Sequence, residues 1–282
     1  MRSTFINKKL SVSRVCLEFG YCRDAYYKLE QRLRSKTGIE DKVLKLVKSR
    51  RKLQPREGGR KVYRGIRGNL DNLNLKVGRD KLFDILRSNN MLVHPRKSYV
   101  KTTNSRHRFY IYDNLTEGFT PTGKNQLWVS DITYIRTMKG FCYLALITDA
   151  YSRKIVGYDI SNTLELEGAL RALKKALKSL PAGHNLIHHS DRGIQYCSHE
   201  YTKLLKKNGV KISMASKGDC YENALAERVN GILKQEYYLD VTFFDVKHAK
   251  KACRDAIFIY NNHRLHMALN YKIPEYVHSL RV

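Results

Sequence analysis

Residues 126–161 read QLWVSDITYIRTMKGFCYLALITDAYSRKIVGYDIS, and this stretch decides the fold. Three runs rich in Ile, Val, Tyr and Trp alternate with short segments such as Met138-Lys139-Gly140, a pattern typical of successive β-strands. Strands that follow one another so closely pair most simply as an antiparallel meander. The stretch therefore predicts three antiparallel strands.

The residues that follow predict helices and two further strands. LELEGALRALKKALKSL (164–180) carries leucines at helical spacing, which indicates an amphipathic helix. NLIHHSD and KISMAS read as strands on either side of a helix at residues 198–208, and two closing helices follow. We expect an α/β fold: a ribonuclease-H-like mixed five-stranded sheet with flanking helices, preceded by an all-α, helix-turn-helix region.

The chain before this sheet divides into two predicted parts. Residues 1–55 read as a helical region, with Ser11 as a helix cap, a break at Gly20 and a turn near Gly38 between two helices. Residues 56–115 contain two short helices and a basic linker, and residues 120–282 form the third part.

The second short helix of residues 56–115 is a candidate DNA-binding element. Its apolar positions are Val77, Leu82, Ile85 and Leu86, and the basic side chains that project elsewhere are Arg79, Lys81 and Arg87. Two short helices with basic residues on the second resemble a helix-turn-helix, whose recognition helix enters the major groove. A plain helical hairpin fits the same pattern, so both interpretations stay open.

Composition narrows the class of function. The net charge is +27, and residues 1–120 hold 29 basic and 11 acidic residues. Such a balance favours a polyanionic partner, of which nucleic acid is the leading one over a membrane surface. Six scattered cysteines without CxxC spacing indicate reduced thiols, and the absence of a long apolar run or a secretory signal predicts a cytoplasmic protein with no membrane partner.

Three carboxylates are candidates for a divalent-metal site. Asp131 lies in the first predicted strand, Asp191 ends the fourth, and Glu227 lies in a closing helix. At about 100° per residue from Leu225, Glu227 falls at about 200°, on the polar face with Asn223 and Lys234. Glu222 and Glu236 fall on the core side of the same helix and are poorer candidates.

Carboxylates of this kind suit phosphodiester chemistry. Two Mg²⁺ or Mn²⁺ ions about 3.5–4 Å apart activate a water or a 3′-hydroxyl and stabilise the leaving oxygen. Hard ions take oxygen ligands, and clustered carboxylates without a cation repel one another. A single Asp at a strand end is more often a turn or cap residue, so the hypothesis depends on the convergence of all three.

Other polar residues have simpler interpretations. Asp149 starts a turn between two strands, and Asp219 caps the helix that carries Glu227. His188 and His189 are adjacent on a strand and point to opposite faces, so one ion cannot easily take both. No Cys/His set has zinc-finger spacing, and neither a Walker-type loop nor a serine nucleophile elbow is present.

Four segments together resemble the insertion-sequence transposases of the IS-three family, in the OrfB part that carries a retroviral-integrase-like core. They are WVSDITYI (128–135), HHSDRGIQY (188–196), SKGDCYENALAERVNGILKQE (216–236) and YNNHRLHMALNYKIPEYV (260–277). The 35 residues between Asp191 and Glu227 equal the spacing of the family's DDE triad.

The resemblance implies a transposase that cleaves DNA and transfers strands with two Mg²⁺ or Mn²⁺ ions. Asp131, Asp191 and Glu227 would be both catalytic residues and metal ligands, and Lys234 and Asn223 would contact DNA. The implied partners are double-stranded DNA at element ends and target, further copies of the chain, and an OrfA product supplied separately or as a frameshift fusion. The implied location is the cytoplasm of a bacterium, in association with the nucleoid.

The resemblance assigns no role to the motif residues near the C-terminus, which are Tyr260, Asn261, His263, Arg264 and His266. Two other functions stay open at this point: a non-catalytic DNA-binding regulator that competes for element ends, and a ribonuclease-H-type nuclease that acts on hybrids.

Overall fold

The computed structural model describes residues 11–94, 108–216 and 224–280. Contacts divide the chain into two compact units. The first comprises residues 1–50 and 66–92, and the second comprises residues 51–65 and 93–282. Asn223, Asp219 and Glu222 lie outside the described residues.

The N-terminal part of the described chain is helical. Its helices are α1 (Val12–Glu18), α2 (Arg23–Leu53), α3 (Gly59–Asn72) and α4 (Arg79–Ser88). Ser11 caps α1 as predicted, since its hydroxyl accepts a hydrogen bond from the backbone N–H of Arg14 at 3.3 Å. Gly20 has a φ of 69°, a left-handed conformation that ends the first helix as the sequence indicated.

The predicted turn at Gly38 is wrong. Helix α2 runs without interruption from Arg23 to Leu53, so the two helices expected here are one. A single glycine costs a helix only about 1 kcal/mol, and no proline lies near Gly38 to end the helix. The buried Val43 and Val47 also stabilise the second half of α2 through packing.

Helix α4 has the apolar face that the sequence predicted. Leu82, Ile85 and Leu86 are buried, and Val77 is buried just before the helix begins. Residues 73–78 join α3 to α4, and Asn74 in this joint adopts a φ of 51°. The two-helix arrangement is present, while its helix-turn-helix function stays a prediction.

A single mixed sheet organises the second unit. Its strands are β1 (Leu127–Thr137), β2 (Gly140–Asp149), β3 (Ile155–Ser161), β4 (Ile187–Ser190) and β5 (Lys211–Met214), in the spatial order β3-β2-β1-β4-β5. The first three are antiparallel, whereas β4 and β5 run parallel to β1.

Helices cover both faces of this sheet. They are α5 (Leu166–Leu177), α6 (Ile194–Cys197), α7 (His199–Lys207), α8 (Ala224–Glu236), α9 (Val246–Asn262) and α10 (Pro274–Ser279). Ala145 and Ile147 of β2 belong to the core shared with α5 and α7, while Leu144 and Leu146 belong to the core shared with α8 and α9. Alternate residues of one strand are thus buried on opposite faces. The predicted mixed five-stranded, ribonuclease-H-like α/β fold is confirmed.

Gly157 lets α5 approach the sheet closely. A Cβ atom built at Gly157 would clash with the carbonyl oxygen of Ala172 and would lie 2.8 Å from the Cβ of Ala176. Only glycine therefore fits at this point of β3. Within the described segments, none of the helices combines the length and the apolar character needed to span a bilayer.

Candidate active site

Strand register brings the first two candidate carboxylates side by side. Strands β1 and β4 are parallel, and Ser130 pairs with Ser190 at the end of their ladder. Asp131 is the next residue of β1, and Asp191 directly follows the last residue of β4. The two aspartates therefore lie next to each other at the carboxyl end of the parallel pair, where α/β sheets commonly form sites.

Asp131 is held by two hydrogen bonds. The backbone N–H of Ile132 donates to Oδ1 at 2.8 Å, and the side-chain amide of Asn230 donates to Oδ2 at 2.7 Å. Asn230 belongs to α8, so this second bond connects the central strand to the helix that carries Glu227.

Asp191 closes a tight turn just after β4. Its Oδ1 accepts a hydrogen bond from the backbone N–H of Gly193 at 3.0 Å. A Cβ atom at Gly193 would lie only 3.0 Å from that same oxygen, so glycine permits the close approach. This hydrogen bond from the backbone two residues along the chain holds the Asp191 side chain in one orientation, as in an Asx-turn.

Glu227 lies in the first turn of α8 and is exposed. Asn230 follows it by three residues, which places both on neighbouring positions of one helix face. Because Asn230 contacts Asp131, this face is turned toward the aspartates. The predicted orientation of Glu227 on the polar side of the helix agrees with this geometry.

The pKa of Asp131 depends on the charges of the other two carboxylates. Burial, together with the charges of Asp191 and Glu227, raises the pKa of Asp131 to about 7, and the hydrogen bonds from Asn230 and Ile132 oppose this shift. Three carboxylates therefore share one electrostatic environment, in which an added cation would relieve the repulsion. Among the residues that the structure describes, no three His, Cys, Asp or Glu side chains are close enough to form a finished metal site.

Lys234 extends the same helix face by one further turn. Its ammonium group lies 4.6 Å from the ring centroid of Tyr134 on β1. Burial lowers the pKa of Lys234, and the charge of Asp131 acts in the opposite direction. The lysine is thus half-buried against β1 within the field of the site.

The other predicted DNA contacts lie on α4. Arg79 pairs with Asp80 at 2.8 Å, and Arg87 pairs with Asp84 at 2.7 Å. Both pairs are exposed, so each contributes little to stability. Lys81 lies between them in sequence and has no ion pair of this kind among the described contacts.

Asn230 is the site residue that sequence reasoning missed. At about 100° per residue it falls at about 140° from Leu225, within the polar stripe that already held Glu227 and Lys234. The signal was therefore present in the sequence, although an asparagine at a half-polar helix position rarely indicates a specific partner.

The two histidines of β4 are core residues. His188 lies within hydrogen-bonding distance of the Ser130 hydroxyl, at 2.7 Å, and of the Tyr201 hydroxyl, at 3.0 Å. His189 pairs with the Ser213 hydroxyl at 2.9 Å. Burial lowers the pKa of His188 to about 3, so its ring is neutral. Both rings are therefore buried and hydrogen-bonded within the core around β4.

The turn residue Asp149 also behaves as predicted. Its Oδ1 accepts from the backbone N–H and the hydroxyl of Ser152, and its Oδ2 accepts from the backbone N–H of Asn125 at 2.8 Å. The carboxylate is fully buried and its hydrogen-bonding capacity is used for the turn.

The C-terminal motif stabilises the end of α8. Arg264 donates two hydrogen bonds of 2.8 Å to Glu236, the last residue of α8, and Lys61 donates to both oxygens of the same carboxylate at 2.9 Å. The side-chain amide of Asn261 accepts a hydrogen bond from the backbone N–H of Ile155 and donates one to the backbone carbonyl oxygen of Ile155. Glu236 is thus a structural carboxylate, in agreement with its predicted orientation away from the site.

Comparison with known proteins places this site in a family. Two models described as the integrase core domain match residues 121–220 and 208–274. The Insertion element IS600 uncharacterized 31 kDa protein of Shigella sonnei is 36% identical over 259 residues, which cover 90% of this chain and 94% of that protein. The transposase InsF for insertion sequence IS3A of Escherichia coli is 41% identical over 131 residues, which cover 46% of each protein.

A solved structure, the HTLV-2 integrase catalytic core domain in complex with magnesium, aligns with a TM-score of 0.45 at 21% identity and covers 56% of this chain and 99% of that one. The chain matches the IS600 protein along nearly its whole length, and it also matches the integrase core models and InsF. It therefore belongs to the insertion-sequence transposases of the IS-three family, which are proteins of DNA transposition built on an integrase core.

Proposed function

We propose that this chain cleaves DNA at the ends of an insertion sequence and transfers the freed 3′-hydroxyl to a target strand, with Asp131, Asp191 and Glu227 as its catalytic carboxylates. One observation carries the proposal. The parallel register of β1 and β4 sets Asp131 beside Asp191, and Asn230 links Asp131 to the helix that bears Glu227.

The donor set fits a hard divalent ion. All three side chains offer carboxylate oxygens, and Mg²⁺ in proteins usually takes one or two carboxylates together with waters and phosphate oxygens. The raised pKa of Asp131 has the sign expected of a carboxylate that lacks its cation. Asp131, Asp191 and Glu227 would together hold two Mg²⁺ or Mn²⁺ ions. Such ions supply an acidified water or hydroxyl and a stabilised leaving oxygen.

The chain's own residues prepare this chemistry. Asn230 orients the Asp131 carboxylate, since it fixes one of its oxygens from α8. The turn at Gly193 orients Asp191 in the same way from the loop after β4. Pre-oriented ligands lower the cost of assembling the site when the substrate arrives.

DNA would be held by polar and basic side chains. The proposed contacts are Asn223 and Lys234, together with Arg79, Lys81 and Arg87 of α4. The net charge of +27 supports a polyanionic substrate. Further copies of the chain and an OrfA product are the proposed protein partners. The proposed division into residues 1–55, 56–115 and 120–282 assigns catalysis to the last part.

The proposal is tested with labelled element-end duplexes in the presence of Mg²⁺. We expect Asp131→Asn, Asp191→Asn and Glu227→Gln each to abolish cleavage and strand transfer while DNA binding persists. Glu200→Gln on α7 is the matched control, because this exposed carboxylate lies outside the site. Full activity in the three site variants would contradict the assignment.

The same assay separates the alternative functions. Binding of element ends by the wild-type chain without any nicking would identify a regulator. Cleavage of RNA–DNA hybrids in preference to DNA duplexes would identify a hybrid nuclease. Strand transfer products from duplex DNA support the transposase alone.

A further inference from the structure

The first compact unit contains a basic groove that lies apart from the carboxylate site. It has a volume of about 480 Å³ and is formed by one side of α2 and by the segment around α4. Lys28, Arg32 and Lys36 line it from α2, and Lys76 and Lys81 line it from the opposite wall. All of these residues belong to the same unit.

The groove carries a strong excess of positive charge. Glu40 is the one carboxylate among its lining residues, against five lysines and arginines. Glu40 is itself engaged, since its Oε1 accepts from the side-chain amide of Asn89 at 2.7 Å. The ion pair of Lys28 with Asp24 spans 3.5 Å between two highly exposed side chains, and such pairs are weak.

Three basic residues of α2 stand in one row along the groove. Lys28, Arg32 and Lys36 follow one another at intervals of four residues, so like charges stand on neighbouring positions of one face. Like charges at this spacing disfavour a helix slightly, and a bound polyanion would offset that repulsion. The row from Lys28 to Lys36 is about 12 Å long. One DNA strand presents a phosphate about every 3.4 Å along the duplex axis, so a row of this length extends past about four phosphates.

We propose that this groove binds the phosphate backbone of duplex DNA, with Lys28, Arg32 and Lys36 on one side and Lys76 and Lys81 on the other. Its role is to position DNA rather than to read bases, since lysine and arginine contacts to phosphate carry no sequence information. Arg79 and Arg87 do not line the groove, and each forms an exposed ion pair with an aspartate of α4. The inference rests on the proposed function only in taking DNA as the substrate.

The test measures the salt dependence of DNA binding by the full chain in EDTA, which removes metal-dependent catalysis from the readout. The groove variant carries Lys28→Gln, Arg32→Gln and Lys36→Gln. The matched control carries Lys42→Gln, Lys45→Gln and Lys48→Gln, three exposed lysines of the same helix that lie outside the groove lining. Both variants lose three positive charges, so only the position of the charges differs.

Three lost phosphate contacts reduce the slope of log K against log salt by about 2.7. Between about 50 and 200 mM salt, the wild-type affinity should therefore fall about 40-fold more than that of the groove variant. The control should keep nearly the wild-type slope. Lys76→Gln with Lys81→Gln, from the opposite wall, should reduce the slope by about 1.8.

Equal slopes for the groove variant and its control would overturn the proposal, because they would show a general effect of charge. If the groove variant kept its DNA binding but lost the binding of polyglutamate, the groove would be a site for an acidic protein segment. That result would also overturn the proposal. The proposed catalytic residues are tested in a separate assay. Strand transfer that persists in the carboxylate variants would contradict their catalytic role and would not change the result of this metal-free binding measurement.

Discussion

The same substitution should destabilise the protein at one glutamate of α8 and leave its stability nearly unchanged at another. Glu236 accepts hydrogen bonds from Lys61 and Arg264, whose side chains are only 9% and 6% exposed. Glu236→Gln removes the charge that compensates these two buried cations. Breaking a buried ion pair from one side costs about 3–5 kcal/mol, so the free energy of unfolding should fall by that order. Glu227 is exposed, and Glu227→Gln should leave stability nearly unchanged.

Urea unfolding provides the assay. Trp128 is the single tryptophan of the chain and is fully buried in the second unit, so its fluorescence reports the unfolding of that unit. With a slope of about 1–3 kcal/mol per molar urea, the loss at Glu236 should lower the midpoint by more than about 1 M. A Glu236→Gln variant as stable as the Glu227→Gln variant would refute the assignment of Glu236 as a structural carboxylate.

The pH dependence of this cluster has a definite sign. Burial alone would raise the pKa of Glu236, but the hydrogen bonds and charges of Arg264 and Lys61 outweigh it and hold the pKa below its ordinary value of 4.5. The stabilisation is therefore present above about pH 4.5 and is lost as the pH falls through the lowered pKa of the folded state. Glu236→Gln should flatten this acid limb of the stability profile.

Three further substitutions test neighbouring features. Gly157→Ala should lower the free energy of unfolding by about 1–3 kcal/mol, since a Cβ there meets α5; equal stability in urea would contradict the close approach. Asp149→Ala should cost about 1–3 kcal/mol, because the donors of Ser152 and Asn125 lose a buried acceptor, and an unchanged urea midpoint would speak against that role. Above about pH 7, Asp131 is ionised and its repulsion with Asp191 is greatest. Asp191→Asn removes this repulsion, on the order of 1 kcal/mol, and should therefore raise the melting temperature of the metal-free protein by a few degrees. Mn²⁺ should stabilise the wild type and not this variant; equal stabilisation of both would place metal binding elsewhere.

The sheet was predictable because its pattern is local. The alternation of β-branched and aromatic runs with short turns in residues 126–161 fixes three strands without reference to the rest of the chain. The cap at Ser11 and the buried face of α4 follow from equally local rules. Gly38 misled the prediction because its intrinsic helix penalty is small compared with the packing that stabilises the second half of α2.

The candidate site was predictable only in part, because its partners come from distant segments. The angle of Glu227 on α8 could be calculated from the sequence, but the bond from Asn230 to Asp131 joins residues 99 positions apart. Tertiary packing also creates the contacts that Glu236 makes with Arg264 and Lys61. No periodicity signals such pairs, so the role of the C-terminal motif emerged only from the structure.

Metal-specific rescue tests the central claim most directly, namely that Asp131 and Asp191 act by binding a divalent ion. In Asp131→Cys and Asp191→Cys variants, a thiolate replaces a carboxylate, and this softer ligand disfavours Mg²⁺ relative to Mn²⁺. The account predicts that strand transfer by each variant is lost in Mg²⁺ and recovered at least in part in Mn²⁺, while Glu200→Cys behaves as the wild type in both. Equal strand transfer in the two metals, for either aspartate variant, would contradict it.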